Sequence, residues 1–348
     1  MLCLVRRVRP DFRRRKSDKN STMDRSNFLD KVGNTPLVSV TVDGMPNVNL
    51  YAKLEGGNPT GSVKDRAASY ILQKLLSRGV INLETTIIES TSGNFGVALS
   101  AFCRYHGLRF IAVVDPNITS MNEMLIVANG GELVKVTKPD RHGGYLLSRI
   151  EKIHELEQQM PNSYWVNQYE NPLNALAYYH SLGKEICFQV EDLHYVFLGV
   201  SSGGTITGVS RKIRENFRDA RIIAVDVEGS VIFNNPSGKR FIPGIGSSMV
   251  PRILEDAYID EVILTNETAT IEACHELLEK QSIFVGGSSG SVLAGVRAYF
   301  SKHVPERPVT VVTVFPDRGE RYFDTIYNTE WCNMVSEYKK EQVRMPMY

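Results

Sequence analysis

Short runs of branched apolar residues recur along the chain, separated by longer stretches whose apolar positions fall three and four residues apart. The runs are Leu50-Leu54, Thr86-Glu89, Arg109-Val114, Glu132-Val136, Tyr195-Val200, Arg221-Val227, Glu261-Leu264 and Val309-Phe315. Continuous Val- and Ile-rich runs of this length predict strands buried on both faces, as in parallel sheets covered by helices. The intervening stretches predict crossover helices, so the fold class is α/β, with mostly parallel twisted sheets flanked by helices.

Punctuation supports these helices. From Lys64 the apolar positions Ala68, Ile71, Leu72, Leu75 and Leu76 keep helical spacing until Gly79. Helices are also expected from Asn94 to His106 before Gly107, from Asn122 to Asn129 before Gly130-Gly131, and from Gly143 to about Met160 before Pro161. A boundary near Asn171-Pro172 divides the chain into an expected N-terminal α/β domain, 23–171, and a C-terminal one, 172–330, followed by a tail, 331–348. Residues 229 to 250 form a long Gly/Pro/Ser/Asn-rich excursion, the kind of loop that lines a site.

With 42% hydrophobic and 23% charged residues, the 348-residue chain has room for two domains around a large core. Five widely spaced cysteines without a CxxC argue against a disulfide framework and for a reducing, cytoplasmic home. The histidines form no close pair with ligand spacing, so no metal is expected. The net charge of +1 hides an asymmetry: eight Lys/Arg against Asp11 and Asp18 give residues 1–22 a charge of +6, leaving −5 elsewhere. This basic stretch reads as a disordered extension before Met23, and binding to nucleic acid is the lesser alternative. No apolar run reaches the length of a membrane span.

Candidate chemistry collects at one lysine and three turns. Asn58-Pro59-Thr60-Gly61-Ser62-Val63-Lys64-Asp65-Arg66 puts Lys64 where a loop becomes a helix, and the helix dipole there lowers an amine's pKa. Glu89-Ser90-Thr91-Ser92-Gly93-Asn94-Phe95-Gly96 offers backbone N–H groups and Asn94 to a carboxylate. Gly199-Val200-Ser201-Ser202-Gly203-Gly204-Thr205-Ile206-Thr207-Gly208 suits a phosphate but lacks a Walker lysine and a GxGxxG spacing. Gly286-Gly287-Ser288-Ser289-Gly290-Ser291, before a helix expected near Val292, is a second phosphate nest or the source of one hydroxyl for a ring nitrogen. One cofactor satisfies all four: pyridoxal phosphate has an aldehyde for Lys64, a phosphate for the second turn and a pyridine nitrogen for Ser288.

At these residues the sequence resembles the β-family, or fold type II, of pyridoxal-phosphate enzymes, which includes cysteine synthase and cystathionine β-synthase. The likeness runs from Val32-Gly33-Asn34-Thr35-Pro36-Leu37 to Pro316-Asp317-Arg318-Gly319-Glu320-Arg321-Tyr322. It implies that Lys64 holds the cofactor's aldehyde, Asn94 its phenolic oxygen, Ser201, Ser202, Gly203, Gly204 and Thr205 its phosphate, and Ser288 its ring nitrogen. It further implies that Thr91, Ser92 and Gln168 hold the substrate α-carboxylate, that Gly244-Ile245-Gly246 lies beside the site, and that the enzyme is a homodimer.

Phe95 and Asn167-Gln168-Tyr169 depart from the cysteine synthase pattern of threonine and Gln-Gln-Phe. Instead, His142-Gly143-Gly144-Tyr145 through Arg149, Trp165-Val166-Asn167-Gln168-Tyr169 and Gly229-Ser230-Val231-Ile232-Phe233 resemble the branch that joins O-phospho-L-serine to L-glutamate. That branch feeds L-2,3-diaminopropionate into siderophores. The resemblance implies that Arg149, Tyr169 and Ser202 hold the phosphate or the second substrate. A sulfur nucleophile and a catalytically idle scaffold are the competing expectations.

Overall fold

The computed structural model describes residues 27–139 and 144–344. Residues 1–22, Met23, His142 and Gly143, on which some expectations fall, lie outside the described residues.

The strands are β1 (Leu37–Val40), β2 (Val48–Leu54), β3 (Thr86–Ser90), β4 (Arg109–Val114), β5 (Glu132–Lys135), β6 (Ser163–Trp165), β7 (Tyr195–Gly199), β8 (Arg221–Val227), β9 (Glu261–Thr265) and β10 (Val309–Phe315). They form a six-stranded sheet in the order β1-β2-β10-β7-β8-β9 and a four-stranded sheet in the order β5-β4-β3-β6. Among the described residues, β1–β2 is the only antiparallel strand pair. The fold is α/β with mostly parallel sheets, as the buried runs predict. Every residue of β3 is buried, and in β8 only Arg221 is exposed.

The helices are α1 (Lys64–Ser77), α2 (Asn94–His106), α3 (Ser120–Ala128), α4 (Leu146–Gln159), α5 (Pro172–Tyr178), α6 (Lys184–Gln189), α7 (Gly204–Asn216), α8 (Glu267–Gln281), α9 (Gly287–Phe300) and α10 (Thr329–Arg344). Gly107 ends α2 at φ +74, where a left-handed residue lets Leu108 N–H return to the Cys103 carbonyl at 2.8 Å. The largest apolar cluster joins Ile71 and Leu72 of α1, Phe95 and Phe102 of α2, Val196 of β7 and Ile206 and Val209 of α7. One packed core therefore holds the lysine helix and the helix of the second Gly-rich turn.

Several boundaries differ from expectation. β1 and β6 are additional short strands. α9 begins at Gly287, five residues before Val292, because Ser288 through Ser291 belong to its first turns. α4 starts at Leu146, and α3 starts after Thr119, whose side chain accepts from Asn122 N–H at 3.2 Å as an N-cap. α10 occupies most of the 331–348 tail. The sheets do not follow two successive halves: β1 and β2, from before residue 171, pair into the six-stranded sheet through β10. Among the described residues, no helix is long and apolar enough to cross a membrane.

Candidate active site

β7 and β10 are parallel neighbours, and the turn after β3 meets the turn after β10 where Asn94 donates to Asp317, so the carboxyl ends of these strands, where parallel sheets bind ligands, border one site. The loop before Lys64 is tied down before the helix starts. Asp65 accepts from Thr60 N–H at 2.6 Å, Gly61 N–H bonds the Asn58 carbonyl at 2.8 Å, and Val63 N–H bonds the Pro316 carbonyl at 2.7 Å. Lys64 is the first residue of α1, and its amine has no hydrogen-bond partner among the described residues. Burial pulls its pKa down to about 8, against the opposing charge of Asp317. Burial, rather than the helix dipole expected from sequence, is the leading cause.

Asp317, just past β10, sits among the same groups. It is 2% exposed, and its Oδ2 accepts from Asn94 Nδ2 at 2.6 Å and from the Tyr322 hydroxyl at 2.7 Å. Burial raises its pKa, and its Oδ1 is buried without a partner among the described residues. Arg321 donates to Asn94 Oδ1 and to the Thr60 carbonyl. Asn94, expected to face a cofactor oxygen, is thus engaged at both ends of its amide. Gly286 packs so tightly on Asp317 that a β-carbon would overlap the carboxylate, and two residues on, Ser288 is buried and its hydroxyl has no hydrogen bond among the described residues.

The second turn wraps the start of α7. Gly203 takes φ +84, a left-handed conformation that glycine adopts without strain, and the first N–H groups of α7 have no intrahelical partner. A β-carbon on Gly204 would overlap the Asn174 amide. Ser202 Oγ is buried without a partner among the described residues, whereas Ser201 Oγ donates to the Gly246 carbonyl at 3.1 Å. That bond ties the 229–250 loop to the turn. Thr205 follows Gly204 in the first helical turn.

The third face comes from the four-stranded sheet. Thr91 is buried, and its Oγ1 accepts from Gly96 N–H at 3.0 Å. Ser92 Oγ donates to Asp115 at 3.2 Å and accepts from Arg149 Nη1 at 3.0 Å. Arg149 also pairs with Asp115 at 3.2 Å; its side chain is 12% exposed and its Nε is buried without a partner among the described residues. It is therefore not a helix-surface arginine. Gln168 Nε2 donates to Glu89 at 3.2 Å and to the Ser90 carbonyl at 3.3 Å. Burial raises Glu89 to about 8, so it is largely a neutral acid at pH 7. Burial also raises the Tyr169 hydroxyl, which lies within the fields of Arg149, Glu89, Arg240 and Asp115.

Hydrogen bonds join Asn94 to Asp317, Arg149 to Ser92 and Ser201 to Gly246, while the charge of Asp317 reaches Lys64 and those of Arg149 and Arg240 reach Tyr169. Sequence reasoning passed over Asp317, Arg321, Asp115, Glu89 and Arg240. Asp317, Arg321 and Glu89 stand inside quoted motifs, but only tertiary contact gives them partners here.

Without hydrogen-bond partners among the described residues, the amine of Lys64, the hydroxyls of Ser202 and Ser288 and the first N–H groups of α7 fit a ligand with an aldehyde, a phosphate and a ring nitrogen. Residues 28–317 match the family model described as pyridoxal-phosphate dependent enzyme. N-(2-amino-2-carboxyethyl)-L-glutamate synthase of Cupriavidus metallidurans is 42% identical over 314 residues, covering 89% of this chain and 92% of that protein. The O-acetylserine-dependent cystathionine β-synthase of Helicobacter pylori is 34% identical, with a TM-score of 0.81 over 88% of this chain and all of that one. O-ureido-L-serine synthase is 28% identical, with a TM-score of 0.79 over 87% of this chain and 95% of that one. The chain belongs to the pyridoxal-phosphate-dependent enzymes of fold type II, and its cofactor is pyridoxal 5'-phosphate.

Proposed function

We propose that the chain catalyses β-replacement on O-phospho-L-serine, with L-glutamate as the amine nucleophile, to give N-(2-amino-2-carboxyethyl)-L-glutamate and phosphate. In balance, the Cβ–O bond of phosphoserine breaks, a Cβ–N bond to glutamate forms, and the proton lost by the amine leaves with phosphate or solvent. Pyridoxal phosphate, when bound, supplies an electron sink that acidifies the substrate Cα–H.

The chain's own residues do the rest. Lys64 holds the cofactor's aldehyde, and once displaced by substrate its amine takes the Cα proton and later returns it, a task suited to a pKa near 8. Ser201, Ser202, Gly203, Gly204 and Thr205 hold the cofactor phosphate. Asn94, oriented by Arg321 and Asp317, flanks the ring oxygen. Ser288 meets the ring nitrogen with a neutral hydroxyl, which keeps the sink moderate and favours elimination over transamination. Thr91, Ser92 and Gln168 hold the substrate α-carboxylate.

The observation that carries the choice of phosphoserine is Arg149, whose guanidinium reaches Ser92 at 3.0 Å and so stands beside the carboxylate loop. A departing phosphate dianion gains from a fixed guanidinium, with Tyr169 and Ser202 as further donors. The 42% identity to the Cupriavidus glutamate synthase supports the choice of nucleophile. On this reading the protein is a cytoplasmic homodimer that supplies L-2,3-diaminopropionate for siderophore-type products.

The test is a mass spectrum of products from phosphoserine offered glutamate, sulfide and homocysteine in parallel. The glutamate adduct should dominate. A much faster reaction of O-acetylserine with sulfide makes the protein a cysteine synthase, and bound cofactor without turnover makes it a scaffold.

A further inference from the structure

Two guanidinium groups act on the Tyr169 hydroxyl from different parts of the molecule, Arg149 from α4 and Arg240 from the 229–250 loop. Their charge balance differs. Arg149 is paired with Asp115 at 3.2 Å and lies within the field of Glu89. Arg240 is partly buried, yet has no carboxylate within 4 Å among the described residues; its Nη2 donates to Ser248 Oγ at 2.8 Å, and its Nη1 lies 2.6 Å from where a Gly246 β-carbon would stand. Two acids lie within its field: Glu267 pairs with Lys339 at 2.6 Å, and Asp226, whose pKa burial raises, accepts from Val227 N–H at 2.9 Å through Oδ1 while its Oδ2 has no hydrogen-bond partner among the described residues. Since the Gly246 carbonyl also holds Ser201, Arg240 stands beside the loop that is tied to the second Gly-rich turn, and its charge reaches Tyr169.

A β-replacement that expels one anion and admits an anionic amine needs two cationic positions. We propose that Arg240 is a specificity-determining residue that binds a carboxylate of the incoming amino acid, leaving Arg149 for the phosphoryl group. The inference rests on the β-replacement reading above. It selects a dicarboxylic amine over sulfide, which presents no carboxylate to the guanidinium.

The holoenzyme tests this with two measurements. One is phosphate released from O-phospho-L-serine in a single turnover without glutamate, and the other is the steady-state KM for glutamate against glutamine. For Arg240→Gln, glutamate KM should rise about tenfold, the size of one charge-assisted contact, and the preference for glutamate over glutamine should fall by a similar factor. Single-turnover phosphate release should stay within twofold of wild type. Arg240→Lys should recover part of the preference, and Ser248→Ala, at an exposed position, should weaken it about threefold even where Arg240→Gln fails to fold. Unchanged KM and preference in these variants overturn the proposal. A loss of phosphate release that parallels the rise in KM overturns it too, because Arg240 then serves the phosphoryl group. Wild-type enzyme that releases no phosphate at all removes the β-replacement reading itself, and this inference with it.

Discussion

The side-chain amide of Asn94 donates to Asp317 Oδ2 at 2.6 Å, coupling the start of α2 to the turn after β10 and placing a buried carboxyl group beside Lys64. Asp317 raises the Lys64 pKa while burial lowers it, with a net value of about 8. The free amine is the form that captures an aldehyde, so apo protein should load pyridoxal phosphate faster as pH rises through about 8. Asp317→Asn removes the opposing charge, and the midpoint of loading rate against pH should move lower. Stopped-flow absorbance of the bound cofactor reads this, with Lys64→Ala giving no band. A midpoint that stays or rises in Asp317→Asn refutes the coupling.

Glu89 makes a separate contribution to stability. Burial raises its folded pKa to about 8, against an ordinary value of 4.5. Between those values the unfolded chain gives up the proton that the folded chain keeps, so this stability is fully present below about 4.5 and is lost as pH rises to about 8. Glu89→Gln should therefore flatten the decline in melting temperature from pH 5 to pH 8. Equal slopes for wild type and variant would show that the carboxyl group ionises freely.

Behind Lys64 lies a buried ionic network. Arg66 bonds Glu55 through Nε at 2.6 Å and Nη2 at 2.8 Å, and reaches Glu185 through Nη1 at 2.6 Å. Lys53 adds a bond to Glu185 at 2.8 Å. Arg66→Met leaves Glu55 buried without its counter-ion, which should cost about 3–5 kcal/mol in urea unfolding. Burial pushes Glu185 up, but the bonds and charge of Arg66, with help from Lys53, hold it down to about 2. The stability it contributes is present above about 4.5 and lost as pH falls toward 2, so wild type should lose more stability over that range than Arg66→Met. A variant as stable as wild type at pH 7 would show that the network is energetically neutral.

The strands were most legible where burial is complete on both faces. Arg221–Val227 and Val309–Phe315 appear with the expected bounds. β6 has three residues, too few for a periodic signal, and β1 is a short antiparallel edge strand whose place is decided by pairing with β2. Turn chemistry exposed Lys64 and the three Gly-rich turns because Gly, Ser and Asn there answer local backbone needs. Asp317, Asp115 and Arg240 carry no local signal. What makes each notable is a partner 25 or more residues away: Asn94 for Asp317, Arg149 for Asp115, Tyr169 for Arg240.

Gly208 links the packing of the helices to the second Gly-rich turn. On the buried face of α7 it meets α5 closely: a β-carbon there would overlap the Ala175 carbonyl and lie 2.7 Å from Tyr179 N. Neither atom is the end of a flexible side chain, so Gly208→Ala must push α7 away from α5, at about 1–3 kcal/mol. The displaced helix begins at Gly204, so the N–H groups of the turn move with it. Cofactor affinity, read by fluorescence titration of apo protein, should weaken about tenfold, the loss of one good contact to a phosphate. Gly79→Ala is the control. That glycine has φ +67 and nothing within 4 Å, so alanine should cost about 1–2 kcal/mol of backbone strain and leave cofactor affinity alone. If both variants weaken the cofactor equally, general destabilisation explains the loss and the α5–α7 contact does not position the turn.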